Sequence, residues 1–171
     1  MLGPLEIAIL VVFPILMAYA AASDLLTMTI PNRLSLALVA GFVALACIGG
    51  LTAQAILLHV LAGAFVLAVT FAMFALGWIG GGDAKLAAAT ALWLGFESLL
   101  EYLFIAALCG GGLTLAILVL RHFPLPRFAL GWTWLSRMHD RRSGVPYGIA
   151  LAAAALAVYP QSQIWAVALG H

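Results

Sequence analysis

Trp78-Ile79-Gly80-Gly81-Gly82-Asp83-Ala84-Lys85-Leu86 places three glycines and an acid between two apolar segments. The chain of 171 residues around it is 66% hydrophobic and only 8% charged, with a mean hydropathy of +1.19. So few charges cannot cover the surface of a soluble domain of this size. The composition therefore implies an integral membrane protein. Its lipid-facing spans are expected to be helices, because a helix satisfies its own backbone hydrogen bonds, and no run of short alternating strands suggests a barrel. An ionisable side chain at membrane depth costs ~2.5–3.5 kcal/mol on insertion scales, so Asp83 is a candidate functional residue in search of a partner. The best partner is Asp24, which closes another apolar segment within Ala22-Ser23-Asp24-Leu25-Leu26-Thr27-Met28-Thr29-Ile30-Pro31-Asn32-Arg33.

Working outward, the pattern predicts an all-α fold of about six transmembrane helices in a single polytopic domain over residues 1–171. The N-terminal apolar run has no basic flank, its first charge being Glu6, and is expected to be kept as a first span from Ile7 to Ser23, with Pro14 as a possible kink and Asp24 just after its end. Pro31 disfavours helix at Ile30, and Asn32 is a candidate cap for a second span from Leu34 to Leu51. A third runs from Ala53 to Ile79, where the triple glycine is expected to end it. The fourth, Ala84 to Phe96, has thirteen residues, or ~20 Å of helix against a hydrocarbon core of ~30 Å. It is too short to cross alone, so it either extends through Glu97 to Leu100 or sinks Asp83 into a protein-lined recess. A fifth span runs from Leu99 or Tyr102 to Leu120, after Glu97 and Glu101 on one helical face, and a sixth from Val145 to Leu169, opening with Val145-Pro146-Tyr147-Gly148.

All seven basic residues fall in loops on one side of this arrangement: Arg33, Lys85, and then Arg121, Arg127, Arg137, Arg141 and Arg142. The positive-inside bias makes that side cytoplasmic and turns both termini outward. The same count carries Asp24 and Asp83 to the cytoplasmic face together. The loop from Arg121 to Gly144 has Trp132 and Trp134 among its arginines, which reads as an interfacial segment and not as a nucleic-acid surface. Cys47 and Cys109 are isolated in apolar runs and read as packed thiols; no CxxC pair or histidine cluster offers a metal site. His59, His122, His139 and His171 are scattered and read as structural or solvated.

Two acids on one face suit amide hydrolysis, which needs a base to deprotonate water and an acid to protonate the carbonyl oxygen or the leaving nitrogen. Two close carboxylates cannot readily both ionise, so one proton is shared and the pair presents acid and base at once. Gly80, Gly81 and Gly82 would let a substrate backbone approach beside Asp83. Plainer readings stand beside this one. Asp83 is also placed as the N-cap of the fourth span with the glycines as a turn, Asp24 as a solvated boundary acid, and Pro146-Tyr147-Gly148 as a helix start with an interfacial tyrosine.

Asp24 with the following Ile30-Pro31-Asn32, then Gly80-Gly81-Gly82-Asp83-Ala84-Lys85-Leu86, then Val145-Pro146-Tyr147-Gly148 resemble, in that order, the type IV prepilin peptidases, which are GxGD membrane aspartyl proteases. The resemblance covers nearly the whole chain. It implies that Asp24 and Asp83 are the catalytic dyad, that Pro31, Asn32, Gly80 to Gly82, Lys85, Pro146, Tyr147 and Gly148 shape the substrate-binding loops, and that no metal or other cofactor is needed. The implied partners are prepilins and pseudopilins, whose short basic leader is cut at the cytoplasmic face of the bacterial inner membrane, just before an apolar helix. The long bifunctional members carry a cytoplasmic insertion with paired CxxC motifs and N-methylate the new amino terminus. That insertion is missing here, so the chain resembles the short form of tight-adherence (Flp) pilus systems, with peptidase activity alone expected. Leu25-Leu26-Thr27-Met28-Thr29 is apolar where many relatives carry arginines, which argues against this loop as a basic wall of the site. A reading from another class is a small transporter or pilus-assembly subunit that uses the two acids to relay protons or bind a cation.

Overall fold

The computed structural model describes residues 3–125, 131–140 and 143–169. Within them every regular element is helical: α1 (Pro4–Thr27), α2 (Asn32–Ile48), α3 (Ala53–Ala75), α4 (Gly81–Leu120), α5 (Thr133–His139), α6 (Tyr147–Val158) and α7 (Gln163–Leu169), with a single 3₁₀ turn at Tyr159–Gln161. α1, α3 and α4 are long and apolar enough to cross a membrane, and α2 and the Tyr147–Gln161 stretch are shorter apolar helices. Leucine, phenylalanine and valine side chains cover much of the outer surface, Leu36, Phe71 and Leu115 among them. That is the surface of a membrane protein.

α4 is two helices joined at a break. Gly95 has φ 68° and ψ −179°, a conformation that glycine alone adopts without strain, and the chain folds back there so that Tyr102 faces Thr90. A β-carbon at Gly95 would stand 3.0 Å from the His59 ring, whose Nδ1 donates to the Leu92 carbonyl at 2.8 Å. His59 is thus a buried structural residue that holds the break. The expected separation of fourth and fifth spans is present, with its boundary at Gly95 before Glu97.

The half of α4 over residues 81–94 is the axis of the bundle. From Ala84 to Leu94 only Lys85 escapes burial, because α2, α3 and α6 pack on α4 and Phe13 and Met17 of α1 reach its Trp93 and Thr90. Alanines at 87, 88, 89 and 91 let the neighbours approach closely, as small residues do where helices associate without a hydrophobic drive. The α1 side of the core follows one helical stripe: Ile9, Phe13, Met17, Ala20 and Asp24. Phe13 sits between Trp93 and Tyr159, with ring centroids 5.0 and 4.3 Å away. The two polar tips are satisfied, Trp93 donating to the Leu38 carbonyl and Tyr159 to that of Ile9.

Several expected boundaries shift, each for a local reason. α1 continues through Asp24 and stops at Met28, whose left-handed φ of 54° lets its N–H bond the Asp24 carbonyl. Asp24 therefore lies inside the last turn and not after it. α3 ends at Ala75, before the triple glycine, in a Schellman cap: Trp78 N–H bonds Met73 O, Gly77 N–H bonds Phe74 O, and Gly77 is left-handed at φ 76°. The stop signal is Gly77, which the more conspicuous glycines hid. The expected last span from Val145 to Leu169 is divided, because Pro160 blocks continuation of the helix and a 3₁₀ turn separates α6 from α7. Cys47 is exposed on α2 and Cys109 is half-buried, both free, so the expected packing fails for Cys47, which lies off the buried stripe Leu34, Leu38, Phe42 and Leu45.

Candidate active site

The turn between α1 and α2 is closed by its own hydroxyls. Ser23 Oγ donates to the Thr29 carbonyl at 2.9 Å, Thr27 Oγ1 donates to the Ser23 carbonyl at 2.7 Å, and the Thr27 and Thr29 hydroxyls meet at 2.7 Å. These bonds keep the end of α1 wound and aim the buried Asp24 inward. Arg137 of α5 donates to the Leu26 carbonyl at 3.2 Å, so a guanidinium from a distant segment stands over a turn that itself lacks arginine.

The start of α6 arrives at the same point. Gly148 N–H donates to Asp24 Oδ2 at 2.7 Å, which puts the carboxylate at the positive end of a helix, where an anion is favoured. A β-carbon at Gly148 would meet Asp24 Oδ2 at 2.8 Å, Ile30 Cδ1 at 2.9 Å and Asp24 Cβ at 3.0 Å. Only glycine allows this approach. Pro146 is buried as the residue before α6, while Tyr147 leaves the site and lies against Gly110.

Asp83 enters from the other side. It is the third residue of α4, with Gly80 at the cap position, so the expectation that Asp83 itself is the N-cap is corrected. Its carboxylate turns back on the Gly80 backbone N–H, half of the reciprocal arrangement common at helix starts. Gly82 packs on Ile30, with room for no β-carbon beyond 3.2 Å, which fixes the glycine turn against the first loop.

The result is a cleft of about 310 Å³ lined by Asp24, Met28, Thr29, Ile30, Gly80, Gly81, Gly82 and Asp83. The two carboxylates are close enough for the charge of Asp24 to act on Asp83. Beside the cleft, Lys85 Nζ donates to Asn32 Oδ1 at 2.8 Å. Asn32 is the first residue of α2 and makes no cap bond there, contrary to the expectation that it caps this helix. Its side chain is turned to Lys85 instead. A profile of the type IV leader peptidase family matches residues 11–115.

The chain belongs to the type IV leader peptidase family.

Searches of curated proteins and of solved structures found no match. The matched segment holds both aspartates, the glycine turn and Lys85, and stops before α6. Membership makes the protein a peptidase of the prepilin leader type, with prepilins as the substrates of its family.

Two contributions to the site had no signal in the sequence. Arg121 ends α4 and donates to the carbonyls of Met138, Ser143 and Gly144 at 2.8, 2.9 and 3.2 Å, tying down the strand of chain that delivers Gly148. Met28 and Thr29 line the cleft although they carry no motif. Arg127, Arg141 and Arg142 of the basic loop, and His171, lie outside the described residues.

Proposed function

We propose that this leader peptidase is an aspartic protease with Asp24 and Asp83 as its dyad, and that it removes the short basic leader of Flp-type prepilins and pseudopilins at the cytoplasmic face of the bacterial inner membrane. The observation that carries the reading is the meeting of the two carboxylates in one cleft beside a side-chain-free turn. One carboxylate takes a proton from water as the oxygen attacks the scissile carbonyl, and the carboxyl of the other gives its proton to the carbonyl oxygen. Collapse of the tetrahedral intermediate then returns a hydroxyl proton to the second carboxylate while the acid formed in the first step protonates the departing nitrogen, which frees the amine and the new carboxyl terminus and restores the dyad. The Gly148 N–H holds Asp24 in place, and the bare backbone of Gly80 to Gly82 admits an extended peptide. The absence from the sequence of the CxxC-bearing insertion supports peptidase activity without N-methylation. Co-expression with a Flp-type prepilin is expected to give leader removal. A correctly inserted protein that leaves every prepilin intact would favour the proton- or cation-relay alternative.

The orientation belongs to the same proposal: six crossings with both termini outside, and the turns bearing Asp24, Asp83 and the arginines within. A single cysteine at Ser143, in a background lacking Cys47 and Cys109, is expected to react with impermeant maleimide only in inverted vesicles. Reaction in intact cells would reverse the topology and remove the encounter with a cytoplasmic leader. The basic loop lies at the interface in this arrangement, with Trp132 and Trp134 stacked at 5.9 Å and α5 packed against α1 and α4. Replacing both tryptophans with serine is expected to lower the cleavage rate several-fold. An unchanged rate would reduce the loop to a connector.

A further inference from the structure

α2 and α3 are joined by a short turn and both pack on α4, yet they scarcely touch each other. Between them runs a groove of about 520 Å³. Its walls are aliphatic, Val39 and Val43 on α2 facing Val60 and Leu67 on α3. Its floor is built of small residues, Gly63, Ala88 and Ala89, and Gly63 lies so close to α4 that a β-carbon there would be 3.1 Å from Leu92 Cβ. One end is polar: Asn32 and Lys85 form it, and the buried hydroxyl of Ser35 at that end has no hydrogen-bond partner among the described residues.

That polar end adjoins the aspartate cleft along two strands of chain. Ile30 lines the cleft and Asn32 the groove; Asp83 lines the cleft and Lys85 the groove. The α2 wall, from Asn32 to Val43, is about 17 Å long at ~1.5 Å per residue, or three helical turns. A trough with aliphatic walls and a floor without bulky side chains has the shape that accepts another helix at close backbone distance. The geometry points to the groove as the berth of the substrate's apolar helix. Accepting the peptidase reading, on which this inference rests, the scissile bond lies in the cleft, and the helix beginning just after it has to leave along a path continuous with the cleft. The groove is such a path. The donors of Lys85 and the hydroxyl of Ser35 then stand beside the first turn of the bound helix, where they meet its polar side chains.

The test uses protein lacking Cys47 and Cys109, with Leu36→Cys on the lip of the groove and Asp83→Asn to hold the substrate uncut. Flp-type prepilins carry single cysteines along the first three turns of the apolar helix. Disulfide cross-links are expected at positions three and four apart, and none to Val69→Cys, which is exposed on the face of α3 turned away from the groove. In protein with both aspartates, Val39→Trp is expected to raise the KM for intact prepilin at least tenfold while kcat changes less than twofold. Cross-links without periodicity, equal cross-linking to Val69→Cys, or an unchanged KM would overturn the inference, as would a lipid tail filling the groove, which gives no cross-link to Leu36→Cys. If those results come while the unsubstituted protein still removes the leader, the peptidase reading stands and only the berth is wrong. If the unsubstituted protein cuts no prepilin, both fall.

Discussion

Asp24→Asn and Asp83→Asn are each expected to insert and fold normally, and to lose leader cleavage by several orders of magnitude. Asparagine is the informative change because it preserves shape and a hydrogen-bonding oxygen. At position 83 the amide oxygen would still accept from the Gly80 N–H, and at position 24 it would still accept from that of Gly148. A purely structural role therefore predicts a loss of at most ~1 kcal/mol, the worth of a negative charge at a helix N-terminus. A dyad, in contrast, loses both its shared proton and its base. The double substitution should be scarcely worse than either single one, because both residues serve one step. The rate should fall at low pH, where both carboxyls hold protons, and at high pH, where neither does. Prepilin cleavage by inserted Asp83→Asn protein at close to the normal rate would end the aspartic-protease reading.

Gly148→Ala is expected to cost about a hundredfold in cleavage although it adds one methyl group. By helix propensity alone the change favours α6 by ~0.5–1 kcal/mol. The methyl would fall 2.8 Å from Asp24 Oδ2 and 3.0 Å from Asp24 Cβ, and neither atom is the free end of a flexible chain. Overpacking of this kind costs ~1–3 kcal/mol, so crowding exceeds propensity and α6 is pushed off Asp24. A displacement on the order of 1 Å at a reacting group suffices for a rate loss of about 10². Gly112→Ala is the control, since Gly112 is helical and exposed with nothing within 4 Å of the added carbon. It should leave cleavage unchanged. Equal rates for the two variants would show that the Gly148–Asp24 approach does not position the dyad.

The convergence of Asp24 and Asp83 was legible because it needs only a count of apolar segments and the side on which charges fall. Lys85 and Asn32 were legible as neighbours of the site, but not as partners, since a bond across 53 positions leaves no periodic trace. The same holds for Gly148, read as a helix start, whose reason for being glycine is a carboxylate 124 positions away. Helix ends were misjudged where a left-handed residue decided them. Met28 gives no compositional warning, and Gly77 was overshadowed by the richer signal three residues on. Arg121 read as one charge among five in a loop, whereas three carbonyl acceptors make it an internal tie.

The placement of residues 81–94 at the axis of the bundle gives the two carboxylates different supports. A segment clasped by several helices exchanges its amide hydrogens only through rare openings of a protein, while turns at the periphery open more often and cheaply. Asp83 rides on the first turn of that clasped segment. Asp24 rides on the last turn of α1, next to a turn closed by surface hydroxyls, and is joined to α6 through the Gly148 bond. The two carboxylates are thus held by different parts of the bundle, Asp83 by its packed axis and Asp24 by α1 together with the start of α6, which follows the chain that Arg121 ties down.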